Sequence, residues 1–167
     1  ERNGTYTNTV AITDANAGGS ANLGSTSATV TVNDANHLVE KKGVQDPNNS
    51  TVNWTVEINK SNSVLTNMVL TDTPSQGTNV NHWTVMDSFI VTPITFDVNG
   101  PVYGSPVSVT EGTNAFGTLT KVGNGFKFEF NTTNKAFKVQ YKTYYDGPHQ
   151  GNYGNEADLS YDGKKGE

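Results

Sequence analysis

Three short stretches of this 167-residue chain carry groups that can react with one another if folding brings them together. Glu40-Lys41-Lys42-Gly43 offers amines, Leu70-Thr71-Asp72-Thr73-Pro74 a carboxyl group, and Gly154-Asn155-Glu156-Ala157 a carboxamide. A lysine attacks only as the neutral amine, and burial disfavours its charged form. An acid beside a carboxamide polarises the carbonyl and shuttles protons. Such chemistry needs a dry interior. Alternation along a strand puts Asp72 on the face of Met68 and Leu70, and Asn155 on the face of Ala157, Leu159 and Tyr161, so both point inward. Lys41 shares a face with Val39, whereas Lys42 shares one with Glu40 and Leu38. Parity favours Lys41 slightly and leaves Lys42 as the reserve nucleophile. Each residue alone has a plainer reading: a solvated lysine, a turn former before Thr73-Pro74, an edge asparagine.

The elements that must position these groups are strands. Only 33% of residues are hydrophobic and 16% charged, and the abundance of Gly, Thr, Asn, Val and Ser favours strands and polar turns over helices. Short alternating runs between turn residues predict a sandwich or barrel with one core. The clearest run is Val52, Trp54, Val56 and Ile58, followed by Met68, Leu70 and Asp72. Further strands are expected at Phe89 to Val98, Val107 to Val109, Gly117 to Val122, Phe126 to Phe130 and Phe137 to Tyr144. Gly123-Asn124-Gly125 reads as a hairpin turn.

The end of the chain repeats its beginning. Tyr6-Thr7-Asn8-Thr9-Val10-Ala11-Ile12-Thr13-Asp14 has the pattern of Tyr153-Gly154-Asn155-Glu156-Ala157-Asp158-Leu159-Ser160-Tyr161-Asp162, an offset of 155 − 8 = 147 residues. That length suits one large unit in a tandem array. Residues 1–36 then read as closing strands of a preceding unit, and residues 37–167 as the sandwich itself. The leading segment is too short for its own core and must borrow a partner surface, either the following domain or a neighbouring molecule by strand exchange. The start at Glu1, without methionine, signal peptide or sorting signal, fits a piece of a longer polypeptide.

Between residue 38 and the end, the pattern resembles the collagen-adhesin-type isopeptide domains of Gram-positive cell-surface proteins and pili. Lys41-Lys42-Gly43 matches the lysine-x-glycine of that family, Val52 to Asn59 its hydrophobic second strand, Val69 to Pro74 its acid strand, and Asn155-Glu156-Ala157 its closing strand. The gaps, 72 − 41 = 31 and 155 − 41 = 114 residues, are similar to the family's spacing. The resemblance implies an Ig-like β-sandwich and a self-catalysed amide between the side chains of Lys41 and Asn155, assisted by Asp72. It implies an extracellular, cell-wall-anchored surface protein with neighbouring tandem domains, in which this domain is a structural stalk. Trp54, Phe137, Tyr141 and Tyr153 are the aromatics whose parity lets them supply a low dielectric. The alternative is a ligand-binding adhesin module for a matrix protein or a carbohydrate, with Trp83, beside His82, and Tyr103 as exposed aromatics in loops.

Other classes fit poorly. A net charge of -5, with no basic cluster beyond Lys41-Lys42 and Lys164-Lys165, gives little purchase on nucleic acid or anionic membranes. The absence of cysteine removes disulfides and thiolate metal sites, and no apolar run is long enough for a bilayer. Asp14-Ala15-Asn16, Asn33-Asp34-Ala35-Asn36 and Asp46-Pro47-Asn48-Asn49 offer oxygen ligands for calcium, yet these are also ordinary turn residues. The histidines His37, His82 and His149 are scattered, with no nucleophile motif beside them. No metal, cofactor or enzyme activity is expected beyond one self-directed turnover.

Overall fold

The computed structural model describes residues 4–14, 21–32, 38–76, 81–132, 135–147 and 153–165. The chain divides into two compact units, Glu1–Ala35 and Asn36–Glu167. In the first, β1 (Gly4–Asp14) and β2 (Ala21–Val32) pair antiparallel from Gly4↔Val32 to Asp14↔Ala21, with an irregularity between Ile12 and Thr13. A two-stranded hairpin supplies one layer and no facing layer.

The second unit is a two-layer β-sandwich. Its strands are β3 (Val39–Asp46), β4 (Thr51–Ile58), β5 (Val69–Pro74), β6 (Asn81–Asp97), β7 (Gly100–Tyr103), β8 (Val107–Val109), β9 (Gly112–Asn114), β10 (Gly117–Val122), β11 (Gly125–Phe130), β12 (Ala136–Asp146), β13 (Asn155–Tyr161) and β14 (Lys164–Lys165). One sheet runs β3-β4-β12-β6-β7, with β8 also paired to β6, and the other runs β14-β13-β5-β11-β10-β9. The first strand of the unit therefore edges one sheet, while β13 lies beside β5 in the other. Alternation sends Val56, Ile58, Phe89, Val91, Phe137, Val139 and Tyr141 from the first sheet against Leu70, Leu119, Phe126, Phe128 and Leu159 from the second. Each such side chain, fully buried, contributes roughly 1.5–3 kcal/mol.

Most expected strands lie where the periodicity puts them, and Gly123-Asn124 is the two-residue turn between β10 and β11. The departure is β6, which begins at Asn81 rather than Phe89. Its pairing with β12 slips between Gln140 and Lys142, so that Val85 faces Lys142 and Ile90 faces Gln140. The extra residues on the β6 side form a bulge that breaks the period of two and hides the first half of the strand from a periodicity argument. His82 and Trp83 are therefore strand residues, not loop residues. Tyr103, also expected in a loop, ends β7 opposite Ile94.

Candidate functional site

Lys41 lies on β3 opposite Val56 of β4, so its side chain enters the sandwich from the first sheet. Asp72 comes from the facing sheet, at the centre of β5, with Phe126 of β11 on one side and Ala157 of β13 on the other. Asn155, opposite Pro74, is the diagonal neighbour of Asp72 on the same face. Lys41 Nζ donates to Asp72 Oδ2, with the lysine side chain 12% exposed and the aspartate side chain fully buried. Tyr141 of β12 donates its hydroxyl proton to the same oxygen at 2.5 Å and accepts from Asn155 Nδ2 at 3.3 Å. Amine, acid and carboxamide thus belong to one hydrogen-bonded cluster. Asp72 Oδ1 and Asn155 Oδ1 are buried and accept no hydrogen bond from the described residues.

The walls are aromatic. The Trp54 ring centre is 4.5 Å from Lys41 Nζ. Tyr141 stacks on Phe89 at 5.1 Å and meets Phe126 edge-on at 4.9 Å. Gly125 lets β11 approach β5 beside Asp72, because a Cβ there would strike the carbonyl oxygen of Asp72. Burial pushes the Lys41 amine below the ordinary lysine range, against the opposing pull of Asp72. Burial, reinforced by Asp72, pushes the Tyr141 phenol up, so it stays a proton donor. Of the aromatics expected here, Trp54 and Tyr141 line the cluster. Phe137 stacks instead on Phe130 at 4.9 Å, and Tyr153 on Tyr145 at 3.9 Å. Phe89 and Phe126 were missed as wall residues; their strand parity was legible, but not the strand each would face.

Lys42 points the other way. It is 77% exposed and pairs with Glu40 at 2.8 Å. Glu40 also takes Lys60 at 2.9 Å, Lys60 reaches Glu57 at 2.8 Å, and the Tyr103 hydroxyl donates to Glu57 at 2.7 Å. Lys42 and Lys60 hold Glu40 down at about 2. Lys138 Nζ lies 5.1 Å from the centre of the Tyr103 ring, which is 44% exposed. The outer face of the first sheet therefore carries a chain of fixed charges ending in an exposed aromatic. Trp83 is half-buried against Tyr144 at 4.9 Å, and His82 is fully buried.

Asp46 acts as a turn former, accepting from Asn48 N at 3.2 Å and Asn49 Nδ2 at 2.8 Å. Among the described residues no three carboxylate or imidazole groups gather as a metal site. His37, His149, Asn33-Asp34-Ala35-Asn36 and the Ala15-Asn16 part of the first cluster lie outside the described residues.

Residues 36–166 match the family described as "Collagen binding domain". No curated protein matches the chain. Among solved structures, the collagen binding domain of Erysipelothrix rhusiopathiae surface protein RspB is similar at TM-score 0.57 and 16% identity, over 95% of this chain and 50% of that one. The collagen-binding domain of a Staphylococcus aureus adhesin gives 0.54 at 17% identity, over 77% and 90%. The collagen binding subdomain of Enterococcus faecalis surface protein ACE gives 0.52 at 20% identity, over 74% and 84%. The chain spans about half the length of the Erysipelothrix structure. These likenesses identify the architecture as the Ig-like sandwich of collagen-adhesin domains.

Proposed function

This chain belongs to the collagen-binding domain family, and from that premise we propose that it is a ligand-binding module of a bacterial surface adhesin whose partner is triple-helical collagen. The family match across residues 36–166, which takes in the whole sandwich, carries this reading. Collagen presents three polyproline-like chains with exposed proline rings and no internal sheet edge. Aromatic surfaces grip such rods, and fixed polar groups set their register. The outer face of β3-β4-β12-β6-β7 offers Tyr103 for the first role and Glu40, Lys42, Glu57, Lys60 and Lys138 for the second. Trp83, packed on Tyr144, is a poorer stacking platform for a sugar. Saturable binding to immobilised triple-helical collagen, but not to the heat-denatured form, is the expected result. Tyr103→Ala should weaken it about tenfold, as loss of an aromatic anchor does. A folded chain that ignores native collagen would end this reading.

The buried cluster favours a second, compatible property: an intramolecular Lys41–Asn155 isopeptide bond. Proton transfer within the Lys41–Asp72 pair yields a neutral amine and a neutral acid, with no net charge left in the dry interior. The acid polarises the Asn155 carbonyl while Lys41 Nζ attacks its side-chain carbon. As the new C–N bond forms Nζ gives up one proton to Asp72, Asp72 passes a proton to Nδ2, the bond to Nδ2 breaks, and the nitrogen leaves as ammonia. The departing ammonia takes up the remaining proton as ammonium and leaves Asp72 a carboxylate again; the amine and carboxamide are consumed, so the domain turns over once and needs no cofactor. Intact mass should fall short of the sequence by one ammonia, and full mass should return in Lys41→Ala or Asn155→Ala; full mass in the wild-type chain removes the bond. In a surface protein anchored to the cell wall, with tandem units on either side, such a weld would carry tension between the first and last strands of the sandwich. Residues 1–36 would be the closing strands of the preceding unit.

A further inference from the structure

Lys41 is followed two residues later by Gly43, and the two residues converge on one side chain, Trp54. Gly43 is opposite Trp54 in the β3–β4 register, and a Cβ at position 43 would stand within 2.9 Å of three ring carbons of the indole. The six-membered ring of the indole therefore packs against the backbone of β3 at Gly43, with the ring centre 4.5 Å from Lys41 Nζ. Its other edge is tied down. Trp54 Nε1 donates to Thr143 Oγ1 at 2.8 Å, and the same oxygen lies 2.7 Å from His82 Nε2. An indole N–H only donates, so Thr143 accepts from Trp54 and can use its own proton on Nε2 of a neutral imidazole. Burial pushes His82 below its usual value, in keeping with that neutral form. Thr143 and His82 are both fully buried.

We propose that Gly43, Thr143 and His82 are positioning residues that clamp Trp54 as a water-excluding roof over the Lys41 amine, and so set the rate of cross-linking. The proposal rests on the isopeptide reading given above. None of the three touches the reacting atoms; each acts through Trp54. The roof matters because the charges near the amine favour its ammonium form. Asp72 from β5 and, at longer range, Glu156 from β13 favour the ammonium form. Tyr141 from β12 faces it with its phenol, and His82 from β6, whose pKa burial lowers, lies behind Thr143. Desolvation is the one influence that favours the free amine. Opening the roof admits water and returns Lys41 to the protonated state, where it cannot attack.

The test follows ammonia loss by intact mass in freshly synthesised chain, across a series of pH values, with circular dichroism to confirm folding. Thr143→Val keeps the shape but removes both hydrogen bonds, whereas Gly43→Ala removes none and displaces the ring. Both should slow cross-linking about tenfold near neutrality, equivalent to one unit in the balance between the ammonium–carboxylate and the neutral form of the Lys41–Asp72 pair. Thr143→Ser, which retains the hydroxyl, should react at nearly the wild-type rate. If wild-type chain cross-links and both variants match it at every pH, the clamp is wrong. A slowing that Thr143→Ser shares in full also overturns it, since that marks general loosening and not loss of the hydroxyl that holds the roof. Wild-type chain that never loses ammonia would remove the isopeptide reading itself, and the clamp with it.

Discussion

Lys41 and Lys42 are adjacent lysines on one strand, and the sandwich makes different groups of them. Lys41 is 12% exposed, set between a tryptophan and a buried aspartate; Lys42 is 77% exposed and joins a surface ladder with Glu40, Lys60, Glu57 and Tyr103. Inside, desolvation is the largest influence on the amine and lowers its pKa against the pull of Asp72. Outside, water screens each pair, so the ladder adds little to the stability of the fold. One step along a pleated strand therefore separates the residue proposed to weld the domain from residues proposed to read its ligand.

The largest effect should come from breaking the inner site alone. Asn155→Ala opens a loop of 155 − 41 = 114 residues, and should lower unfolding free energy by about 4 to 5 kcal/mol in the chain-entropy view. Lys42→Ala should keep the one-ammonia deficit against its own sequence mass and a melting temperature near wild type. Comparable losses in both variants, measured by denaturant unfolding, would erase the contrast between the two faces.

A smaller effect sharpens the contrast through pH. In Asn155→Ala the Lys41 amine stays free, with its folded pKa depressed below the unfolded value. Between those two values the unfolded chain binds more protons than the folded one, so stability must rise with pH across that window. Melting should therefore climb as pH rises towards the ordinary lysine pKa of about 10.4. Adding Lys41→Met should flatten that rise, and a rise that survives it belongs to some other group.

The smallest effect is expected outside. Lys60→Ala breaks two ion pairs at once, at 2.9 and 2.8 Å, yet should cost no more than about 1 kcal/mol, shrinking further in high salt. A larger, salt-resistant loss would mean that the ladder is structural and not a surface awaiting a partner.

Much of this was readable before any fold was known. Residue alternation put Asp72 and Asn155 inward, and favoured Lys41 over Lys42, because a strand's side chains change face at every step whatever lies around it. It failed where the step was interrupted: the bulge in β6 hid the strand that carries His82 and Trp83, and a turn-rich stretch hid the end of β7 at Tyr103. Parity also admitted Phe137 and Tyr153 as neighbours of the cluster, although they pack elsewhere.

What the chain determined alone, then, was the side each residue shows and the order in which amine, acid and carboxamide arrive. Which strands face one another was decided only by closing two sheets over one core, because that choice depends on burying apolar surface contributed by distant segments. The meeting of Lys41 with Asp72, the roof of Trp54 held between Gly43 and Thr143, and the reach of Tyr103 to Glu57 all belong to that second level. They join residues 31, 89 and 46 positions apart in the pairs Lys41–Asp72, Trp54–Thr143 and Tyr103–Glu57, separations over which local pattern carries no information.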